Sequence, residues 1–289
     1  MNRNLEDCTV GIAGLGLMGG AIARSLRNNC GVTRERLFAC DKDSETLNAA
    51  KEAGLIAQGF EAEKAGEMLR ACNLVFLCLN PSTIIGFLEK WEGAFKTGCL
   101  ITDIAGTKGS IAVAAEKFRE DVDFIPGHPM AGAEKGGFAN SQLCNFNGKN
   151  YILTPLSRNK SENLQFLKDL IYKMGFGRIT EVTPGEHDRK IAFTSQLCHV
   201  IASALIDCEE DTAITRFGGG SFEDLTRIAM LNAPMWTELF IENRGALLDR
   251  IEQFEKSLDA LKSLISGAQA AELEKRLELV RDRRTAMSL

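Results

Sequence analysis

The sequence predicts an α/β protein in which a doubly wound parallel sheet is followed by an all-helical domain. From residue 9 to about residue 183, short apolar runs alternate with helical stretches, which is typical of strands buried on both faces of a parallel sheet. After Thr183-Pro184-Gly185 the strand pattern stops, and helical patterns continue to the end of the chain. We therefore expect two domains, residues 1–183 and residues 184–289.

The composition is that of an ordinary soluble protein, with 45% hydrophobic and 25% charged residues. A net charge of -5 gives no reason to expect nucleic acid or an anionic membrane as a partner. The nine cysteines are scattered without a Cys-x-x-Cys pair, and the chain does not open with an apolar signal region. We therefore predict reduced thiols and a cytoplasmic protein. The three histidines lack the spacing of a zinc site, so no metal is predicted.

The first predicted strand, Thr9–Ala13, runs into a Gly-x-Gly-x-x-Gly turn that opens a helix. In this pattern the first glycine permits a tight turn, the second lets the backbone approach a diphosphate, and the third lets helix and strand pack closely. The N–H groups at the helix start lack intrahelical partners and suit an anion. The turn therefore indicates a Rossmann-type dinucleotide-binding domain. Its predicted cofactor contacts are Gly14, Leu15, Gly16, Leu17, Met18 and Gly19.

The second predicted strand, Leu37–Cys40, ends immediately before Asp41. An acidic residue about 20 positions beyond the glycine turn is placed to accept a hydrogen bond from a ribose 2′-hydroxyl. Its negative charge would repel a 2′-phosphate, so Asp41 is a predicted cofactor contact that favours NAD over NADP. The adjacent Lys42 leaves NADP as an alternative.

Five further strands and three helices complete the predicted sheet domain. The strands are Leu74–Leu79, Leu100–Ile104, Asp123–Ile125, Asn150–Leu153 and Arg178–Val182. The helices are Ser44–Ala53, Ile84–Trp91 and Thr107–Arg119. Ligands of such sheets bind beyond the carboxyl ends of the strands. Asn80 and Asp103 lie at two of those ends and are therefore predicted cofactor contacts.

His128 follows the strand Asp123–Ile125, in a segment that Pro126, Gly127 and Pro129 hold in place. Histidine is the side chain whose ordinary pKa lies nearest neutrality, so it suits taking a proton from a hydroxyl while a hydride leaves the same carbon. A lone loop histidine is more often structural, but a position at the nucleotide edge of the sheet favours catalysis. We therefore predict that His128 is a general base.

The predicted helical domain contains helices from Glu186 to about Glu210, over Phe222–Met230 and over Met235–Ser266. In the last of these, apolar residues recur at alternating spacings of four and three and so form one stripe. The stripe consists of Leu247, Ile251, Phe254, Leu258, Leu261 and Ile265. It either packs within its own subunit or forms the seam of a homodimer, and homodimerisation is a hypothesis. Residues 267–289 form either a terminal helix or a frayed tail.

Five motifs, which occur in order along nearly the whole chain, resemble those of the prephenate and arogenate dehydrogenases of tyrosine biosynthesis. They are Gly14–Gly20 (GLGLMGG), Leu74–Leu79 (LVFLCL), Thr102–Lys108 (TDIAGTK), His128–Gly132 (HPMAG) and Asp224–Ala229 (DLTRIA). The glycine turn is shared with many dehydrogenases. The combination of the histidine segment with Asp224–Ala229 is far more specific.

The resemblance implies an oxidative decarboxylation in which prephenate and NAD give 4-hydroxyphenylpyruvate, carbon dioxide and NADH. It implies that His128 accepts the hydroxyl proton, and that Thr107 replaces a serine that hydrogen-bonds near the reacting hydroxyl and the nicotinamide. Arg227 matches an arginine that binds a substrate carboxylate, and Asp224 would orient it. A surface ion pair between Arg227 and Asp224 is the plain alternative.

The resemblance also implies substrate contacts by Glu134, as a gating or polar contact, by Trp236, as a wall of the pocket, and by His199. For His199, a satisfied core histidine is the alternative. The sequence departs from the family at four positions: Ala133 lacks a hydroxyl often found there, Gln196 replaces a histidine, Cys198 replaces a proline, and Glu223 stands where many relatives carry a basic residue.

Three alternatives stay open. Arogenate differs from prephenate by an amino group in place of a keto group, and one or two side chains decide that choice. A β-hydroxyacid dehydrogenase shares the glycine turn and a helical second domain but relies on a lysine, for which Lys190 is the candidate. An NAD(H)-sensing binding module would need neither a base nor a carboxylate clamp, so the presence of both disfavours it.

Overall fold

The computed structural model of the chain describes residues 4–133 and 135–287. The chain divides into two compact units, Met1–Asn243 and Arg244–Leu289. The described strands all belong to the first unit, together with the helices up to residue 242. The first compact unit continues beyond residue 183. The domain boundary expected between residues 183 and 184 therefore stays a prediction.

The first unit contains a six-stranded parallel sheet in the order β3-β2-β1-β4-β5-β6. Its strands are β1 (Val10–Ala13), β2 (Leu37–Asp41), β3 (Gln58–Glu61), β4 (Leu74–Leu77), β5 (Leu100–Asp103) and β6 (Asp123–Phe124). The strand order reverses between β1 and β4, and ligands of such sheets bind in the crevice at this point, beyond the carboxyl ends of the strands. The predicted Rossmann-type, doubly wound sheet is confirmed.

Two apolar cores lie on the two faces of this sheet, because successive strand residues point to opposite faces. Leu74 and Phe76 of β4 belong to one core, Val75 and Leu77 belong to the other, and all four are fully buried. The first core is completed by α1 (Leu17–Asn28), α2 (Ser44–Glu52) and α6 (Ser161–Lys173). The second is completed by α3 (Ala65–Ala71), α4 (Pro81–Trp91) and α5 (Gly109–Lys117).

Three short strands form a separate sheet: β7 (Gly127–Pro129), β8 (Asn150–Leu153) and β9 (Arg178–Glu181). β7 is antiparallel to β8, and β8 is parallel to β9. The prediction that Asn150–Leu153 and Arg178–Val182 join the main sheet was therefore wrong, since an apolar run indicates a strand without indicating its partner. His128 lies on β7, opposite Ile152, rather than in a loop.

The helical part of the first unit consists of α7 (Pro184–Ile191), α8 (Leu197–Asp207), α9 (Gly220–Thr226) and α10 (Ala233–Glu242). α7 begins where it does because the Thr183 side chain accepts a hydrogen bond from the N–H of Glu186 and Pro184 occupies the first turn. A π-helical turn, Ala192–Gln196, joins α7 to α8. Such turns add one residue to the helix ladder and are frequent at functional sites.

The second unit consists of α11 (Arg244–Ser266) and α12 (Ala270–Ala286). The prediction of one helix over Met235–Ser266 was wrong, because α10 ends at Glu242 and Asn243 is its C-cap residue. The apolar stripe of α11 is buried at Leu247 and exposed at two positions, Leu258 at 52% and Ile265 at 64%. Within the described ranges, no helix is both long and apolar enough to cross a membrane.

Candidate active site

The glycine turn forms an open cradle at the carboxyl end of β1. Gly14 adopts a φ of +91°, and a Cβ there would lie 2.5 Å from the carbonyl oxygen of Cys78. A Cβ on Gly19 would overlap the carbonyl oxygen of Gly14, whereas a Cβ on Gly16 would meet nothing within 4 Å. The first and third glycines therefore permit the turn and its packing, and Gly16 leaves open space.

Helix α1 begins at Leu17, behind Gly16 as its N-cap residue, so the N–H groups of its first turn have no intrahelical partners. Such groups beside open space, at the positive end of a helix dipole, fit a diphosphate. Leu17 and Met18 are partly exposed here. Leu15 differs from the rest of the turn, because its side chain is buried and its N–H donates to Asp41 Oδ2 at 2.6 Å.

Asp41 and Asn80 lie at the carboxyl ends of β2 and β4. The second Asp41 oxygen, Oδ1, accepts a hydrogen bond from the N–H of Asp43 at 3.0 Å. The carboxylate thus links the end of β2 to the glycine turn, and it is still partly exposed. Asn80 is exposed at the N-cap of α4. Their contacts with a cofactor stay predictions.

A buried ion pair organises the loop after β5. The Lys108 ammonium contacts Asp103 Oδ2, and both side chains are 0% exposed. Asp103 also accepts hydrogen bonds from the N–H groups of Ala105 at 2.8 Å and Gly127 at 3.1 Å. Burial lowers the pKa of Lys108, although Asp103 opposes this effect. The Asp103 carboxylate is therefore engaged inside the protein, and its predicted contact with the cofactor stays a prediction.

Thr107 carries a buried hydroxyl in the same loop. The residue is 1% exposed, and its Oγ1 has no hydrogen-bond partner among the described residues. A buried hydroxyl that lacks a partner is costly and calls for an explanation. Helix α10 packs beside it, since a Cβ on Gly106 would lie 3.1 Å from the Leu239 side chain. The unused hydroxyl fits a bound group at this edge of the sheet.

His128 is held by two residues of α7. Its Nδ1 lies 2.9 Å from Nε2 of the buried His187, whose own Nδ1 lies 2.7 Å from Asp188 Oδ1. Burial lowers the pKa of His128 well below its usual value, and His187 and Lys108 lower it further. His128 is therefore neutral at pH 7 and able to accept a proton. The residue as a whole is partly exposed.

The predicted substrate residues His199 and Trp236 come together between α8 and α10. Their rings stack with centroids 3.6 Å apart and an interplanar angle of 26°. His199 Nδ1 donates to the carbonyl oxygen of Ser195 at 2.9 Å. Burial lowers the pKa of His199, and the Ser195 bond opposes this effect. The two rings form a firm surface on which a ring-shaped substrate can pack.

Gln196, which departs from the family pattern, is buried in a brace rather than placed at an open surface. Its Nε2 donates to the carbonyl oxygen of Leu239 at 3.0 Å, and its Oε1 accepts from Asn243 Nδ2 at 2.7 Å. The same Asn243 amide donates to the carbonyl oxygen of Asp188 at 2.9 Å. The brace thus connects the start of α8 and the end of α10 to the residue that supports His187.

The remaining predicted residues are on or near α9. Asp224 lies on α9, and Arg227 begins a 3-10 helical turn, Arg227–Ala229, that packs against α8; both side chains are exposed. Glu134 lies outside the described residues. Lys190, the base required by the β-hydroxyacid alternative, is exposed on α7. The substrate roles of Arg227, Asp224 and Glu134 stay predictions.

Sequence reasoning did not single out His187, Asp188, Lys108 or Asn243. The signal for His187 was available, because it is one of three histidines. However, the contact between His187 and His128 spans 59 residues of sequence. A local pattern cannot reveal such a contact.

The reversed strand order, the glycine cradle and a neutral histidine at the same sheet edge define a nucleotide-dependent oxidoreductase. A family model described as prephenate dehydrogenase, nucleotide-binding domain, matches residues 22–180, and one described as prephenate dehydrogenase, dimerization domain, matches residues 183–279. The chain therefore belongs to the prephenate dehydrogenase family. The resemblance found in the motifs and the predicted oxidoreductase class are confirmed.

Similar proteins match the chain over nearly its whole length. A prephenate dehydrogenase of Bacillus subtilis (strain 168) is 28% identical over 287 residues, which cover 97% of this chain and 76% of that protein. The crystal structure of prephenate dehydrogenase from A. aeolicus in complex with hydroxyphenyl propionate and NAD+ has a TM-score of 0.85 and 29% identity, covering 96% of this chain and 98% of that one. Synechocystis arogenate dehydrogenase has a TM-score of 0.79 and 28% identity, covering 96% and 99%.

Proposed function

We propose that this protein is an NAD-dependent prephenate dehydrogenase, which converts prephenate into 4-hydroxyphenylpyruvate and carbon dioxide in tyrosine biosynthesis. One observation carries this proposal: a neutral His128 lies at the nucleotide edge of the sheet, and the neighbouring loop holds the buried Thr107 hydroxyl, which has no partner within the described ranges. Support also comes from the A. aeolicus enzyme, which was crystallised with hydroxyphenyl propionate and NAD+.

The cofactor is NAD, held at the glycine turn. The first-turn N–H groups of α1 would hold its diphosphate beside Gly16, and Asp41 would accept a hydrogen bond from its ribose. The negative charge of Asp41 selects against the extra phosphate of NADP. When bound, NAD accepts a hydride from the substrate carbon that carries the hydroxyl.

His128 is the general base for this reaction. Its ring accepts the hydroxyl proton, while the Thr107 hydroxyl donates a hydrogen bond to the same substrate oxygen. As the hydride leaves, the oxygen forms a carbonyl. The ring carboxylate then leaves as carbon dioxide, and the electron pair that it releases makes the ring aromatic and moves onto the carbonyl oxygen. This oxygen takes back the proton from the His128 imidazolium, which gives the phenol and regenerates the base. Because burial lowers its pKa, the His128 ring is unprotonated at neutral pH and carries a free lone pair that can accept the proton.

The helical part of the first unit supplies the substrate contacts. The Arg227 guanidinium offers forked donors to a substrate carboxylate, and Asp224 orients it. The resemblance to the family assigns His199 and Trp236, whose rings stack on each other, to contacts with the substrate. By the resemblance to the family, Glu134 is assigned to the substrate as a gating or polar contact. Glu223 is a cost in this arrangement, because its negative charge opposes a dianionic substrate.

We also propose that the protein is a cytoplasmic homodimer. The exposed apolar residues of α11, such as Leu258 and Ile265, support association, as does the description of the matching family model as a dimerization domain. The scattered free cysteines support a reducing compartment. A sedimentation measurement that gives only monomer at micromolar concentration would contradict the dimer.

Arogenate is the second candidate substrate. The solved structures named for prephenate and arogenate dehydrogenases are almost equally similar to this chain, at 29% and 28% identity. Steady-state kinetics with both substrates, and with NAD and NADP, decide between them. We expect the highest kcat/KM for prephenate with NAD. A higher kcat/KM for arogenate would make arogenate the substrate. Turnover of a 3-hydroxyacid, with no turnover of prephenate or arogenate, would contradict the proposed reaction.

A further inference from the structure

His128 belongs to a buried hydrogen-bonded chain that continues through His187 to Asp188. The Asp188 carboxylate accepts from His187 Nδ1, and it also accepts from the N–H groups of Lys108 and Gly109 at the start of α5, both at 2.8 Å. The His187 side chain is 0% exposed. It therefore cannot touch a substrate, and its effect must pass through His128.

The direction of each hydrogen bond follows from the chemistry of the groups. A carboxylate only accepts, so His187 Nδ1 must carry a hydrogen. Burial lowers the pKa of His187, although Asp188 opposes this effect, and the ring is neutral. His187 Nε2 is then a lone-pair acceptor, and the 2.9 Å contact requires a hydrogen on His128 Nδ1. The other nitrogen of His128, Nε2, is left with its lone pair.

We infer that Asp188 and His187 are positioning residues that fix His128 as the Nδ1–H tautomer and so make Nε2 the proton-accepting atom. The tautomer rests on the two hydrogen bonds of His187 together with the neutrality of its buried ring. Its use in catalysis rests on the proposed dehydrogenase function. When Nε2 takes the substrate proton, the new positive charge faces His187, whose own N–H points to the anionic Asp188, and the imidazolium is stabilised.

Charged groups on three elements face this pair. Asp103 at the end of β5 and Lys108 before α5 form the buried ion pair, and Asp188 lies on α7. The Lys108 ammonium lowers the pKa of both imidazoles, and Asp103 and Asp188 oppose it at His187. A resting proton shared between the two rings is therefore disfavoured, which leaves His128 free to act as a base.

The brace formed by Gln196 and Asn243 supports His128 and His187 through the main chain of Asp188. Asn243 Nδ2 donates to the carbonyl oxygen of Asp188 and to Gln196 Oε1, and both Asn243 and Gln196 are buried. The α5 N-terminus holds the Asp188 carboxylate from the other side. Since both the main chain and the side chain of Asp188 are fixed, the orientation of His187 is fixed with them.

Ring-nitrogen NMR on protein labelled in its three histidines tests the tautomer without any substrate. The signals of His128 are identified by their loss in His128→Asn. We expect a hydrogen on Nδ1 and an unprotonated Nε2 in the unmodified protein at neutral pH. A hydrogen on Nε2 would overturn the inference, and the measurement needs no substrate and no turnover.

A matched pair of variants tests the role of His187. In His187→Gln the amide oxygen can accept from His128 and the amide N–H can donate to Asp188, so the Nδ1–H tautomer should persist. In His187→Leu, which has similar bulk, the acceptor is lost and Nε2–H should appear. An unchanged His128 tautomer in a folded His187→Leu protein would show that His187 does not set it.

Kinetics with prephenate and NAD separate this inference from the proposed function. We expect His187→Leu to lower kcat by roughly 100-fold, within the range of general acid–base catalysis, with KM nearly unchanged, and His187→Gln to restore most of kcat. If the unmodified protein turns over prephenate but His128 carries its hydrogen on Nε2, the positioning role of His187 and Asp188 is contradicted and the proposed function is not. The predicted tautomer without turnover of prephenate or arogenate would support the hydrogen-bonded chain and contradict the proposed function.

Discussion

At the scale of single residues, most polar side chains of the site bind other groups of the protein, whereas the Thr107 hydroxyl binds none that the structure describes. The Asp103 carboxylate, the Lys108 ammonium and the Gln196 amide all have protein partners. The Thr107 Oγ1 has none within the described ranges, although it is buried. Among the described residues, three other buried hydroxyls share this state, those of Thr102, Ser110 and Thr154. Thr107 is assigned to a ligand because the resemblance to the family also points to it.

Thr107→Val therefore tests the residue directly, because it removes the hydroxyl and keeps the shape. We expect kcat to fall by roughly 5- to 150-fold, the equivalent of about 1–3 kcal/mol for one hydrogen bond. The free energy of unfolding should stay the same or rise, since no protein hydrogen bond is lost. Thr107→Ser keeps the hydroxyl and is the control. Full turnover by Thr107→Val would remove the proposed role.

Arg227 lies on the 3-10 turn that packs against α8, the helix of His199. We predict that Arg227→Ala raises the KM for prephenate by at least about tenfold, because one lost charge-assisted hydrogen bond costs about 1.5–3 kcal/mol. The KM for NAD should not change. Arg227→Lys should recover part of the loss, since it keeps the charge without the fork. An unaltered KM for prephenate would reduce Arg227 to a surface ion-pair partner.

At the scale of elements, the sequence predicted the strands whose burial produces a local run of apolar residues. The strands β1, β4 and β5 were found because each is an apolar run that is buried throughout. Strand β3 was missed because it is an edge strand whose Gln58 and Glu61 are exposed. Without an apolar run it gives no strand signal.

The errors at element scale share one cause, which is contact between distant residues. The helix predicted over Met235–Ser266 breaks at Asn243, whose amide bonds to Asp188 and Gln196, 55 and 47 residues away. His128 was predicted from its position after a strand. Its support by His187 and Asp188 was not, because those residues meet it only in the folded chain.

The glycine turn offers a test in which two similar substitutions affect different properties, the NAD affinity in one variant and the stability in the other. Gly16→Ala places a methyl group in open space, so we expect unchanged stability and an NAD affinity weakened about tenfold, or about 1.4 kcal/mol. Gly19→Ala drives a methyl group into the carbonyl oxygen of Gly14, so we expect a loss of stability of about 1–3 kcal/mol or more. Urea unfolding and NAD titration measure the two effects. Unchanged NAD affinity in Gly16→Ala would contradict the cradle.

At the scale of the whole molecule, the three histidines connect the site to stability. Burial lowers the pKa of His128, His187 and His199 in the folded protein. The unfolded chain binds these protons near pH 6.5, so it holds more protons than the folded chain at pH values just below that. The free energy of unfolding is therefore expected to be nearly constant between about pH 7 and pH 8 and to fall on acidification, by at most about 1.4 kcal/mol per pH unit for each histidine.

Denaturant unfolding between about pH 8 and pH 5 measures this slope. His128→Asn removes one of the three groups. The difference in bound protons between the unfolded and folded chain should fall by up to one, and the slope of the free energy of unfolding against pH should decrease accordingly. A stability that is constant down to about pH 5, well below the ordinary histidine value, would show that the rings are not kept neutral by burial.

The central claim is that a neutral His128 at the nucleotide edge of the sheet takes the hydroxyl proton of prephenate during an NAD-linked oxidative decarboxylation. The most direct measurement is the yield of NADH, carbon dioxide and 4-hydroxyphenylpyruvate from prephenate and NAD, with the unmodified protein and with His128→Asn. We predict equal amounts of the three products from the unmodified protein, and a kcat lower by roughly 100- to 10,000-fold in His128→Asn with NAD binding retained. Absence of the products with the unmodified protein, or equal kcat in the variant, would contradict the claim.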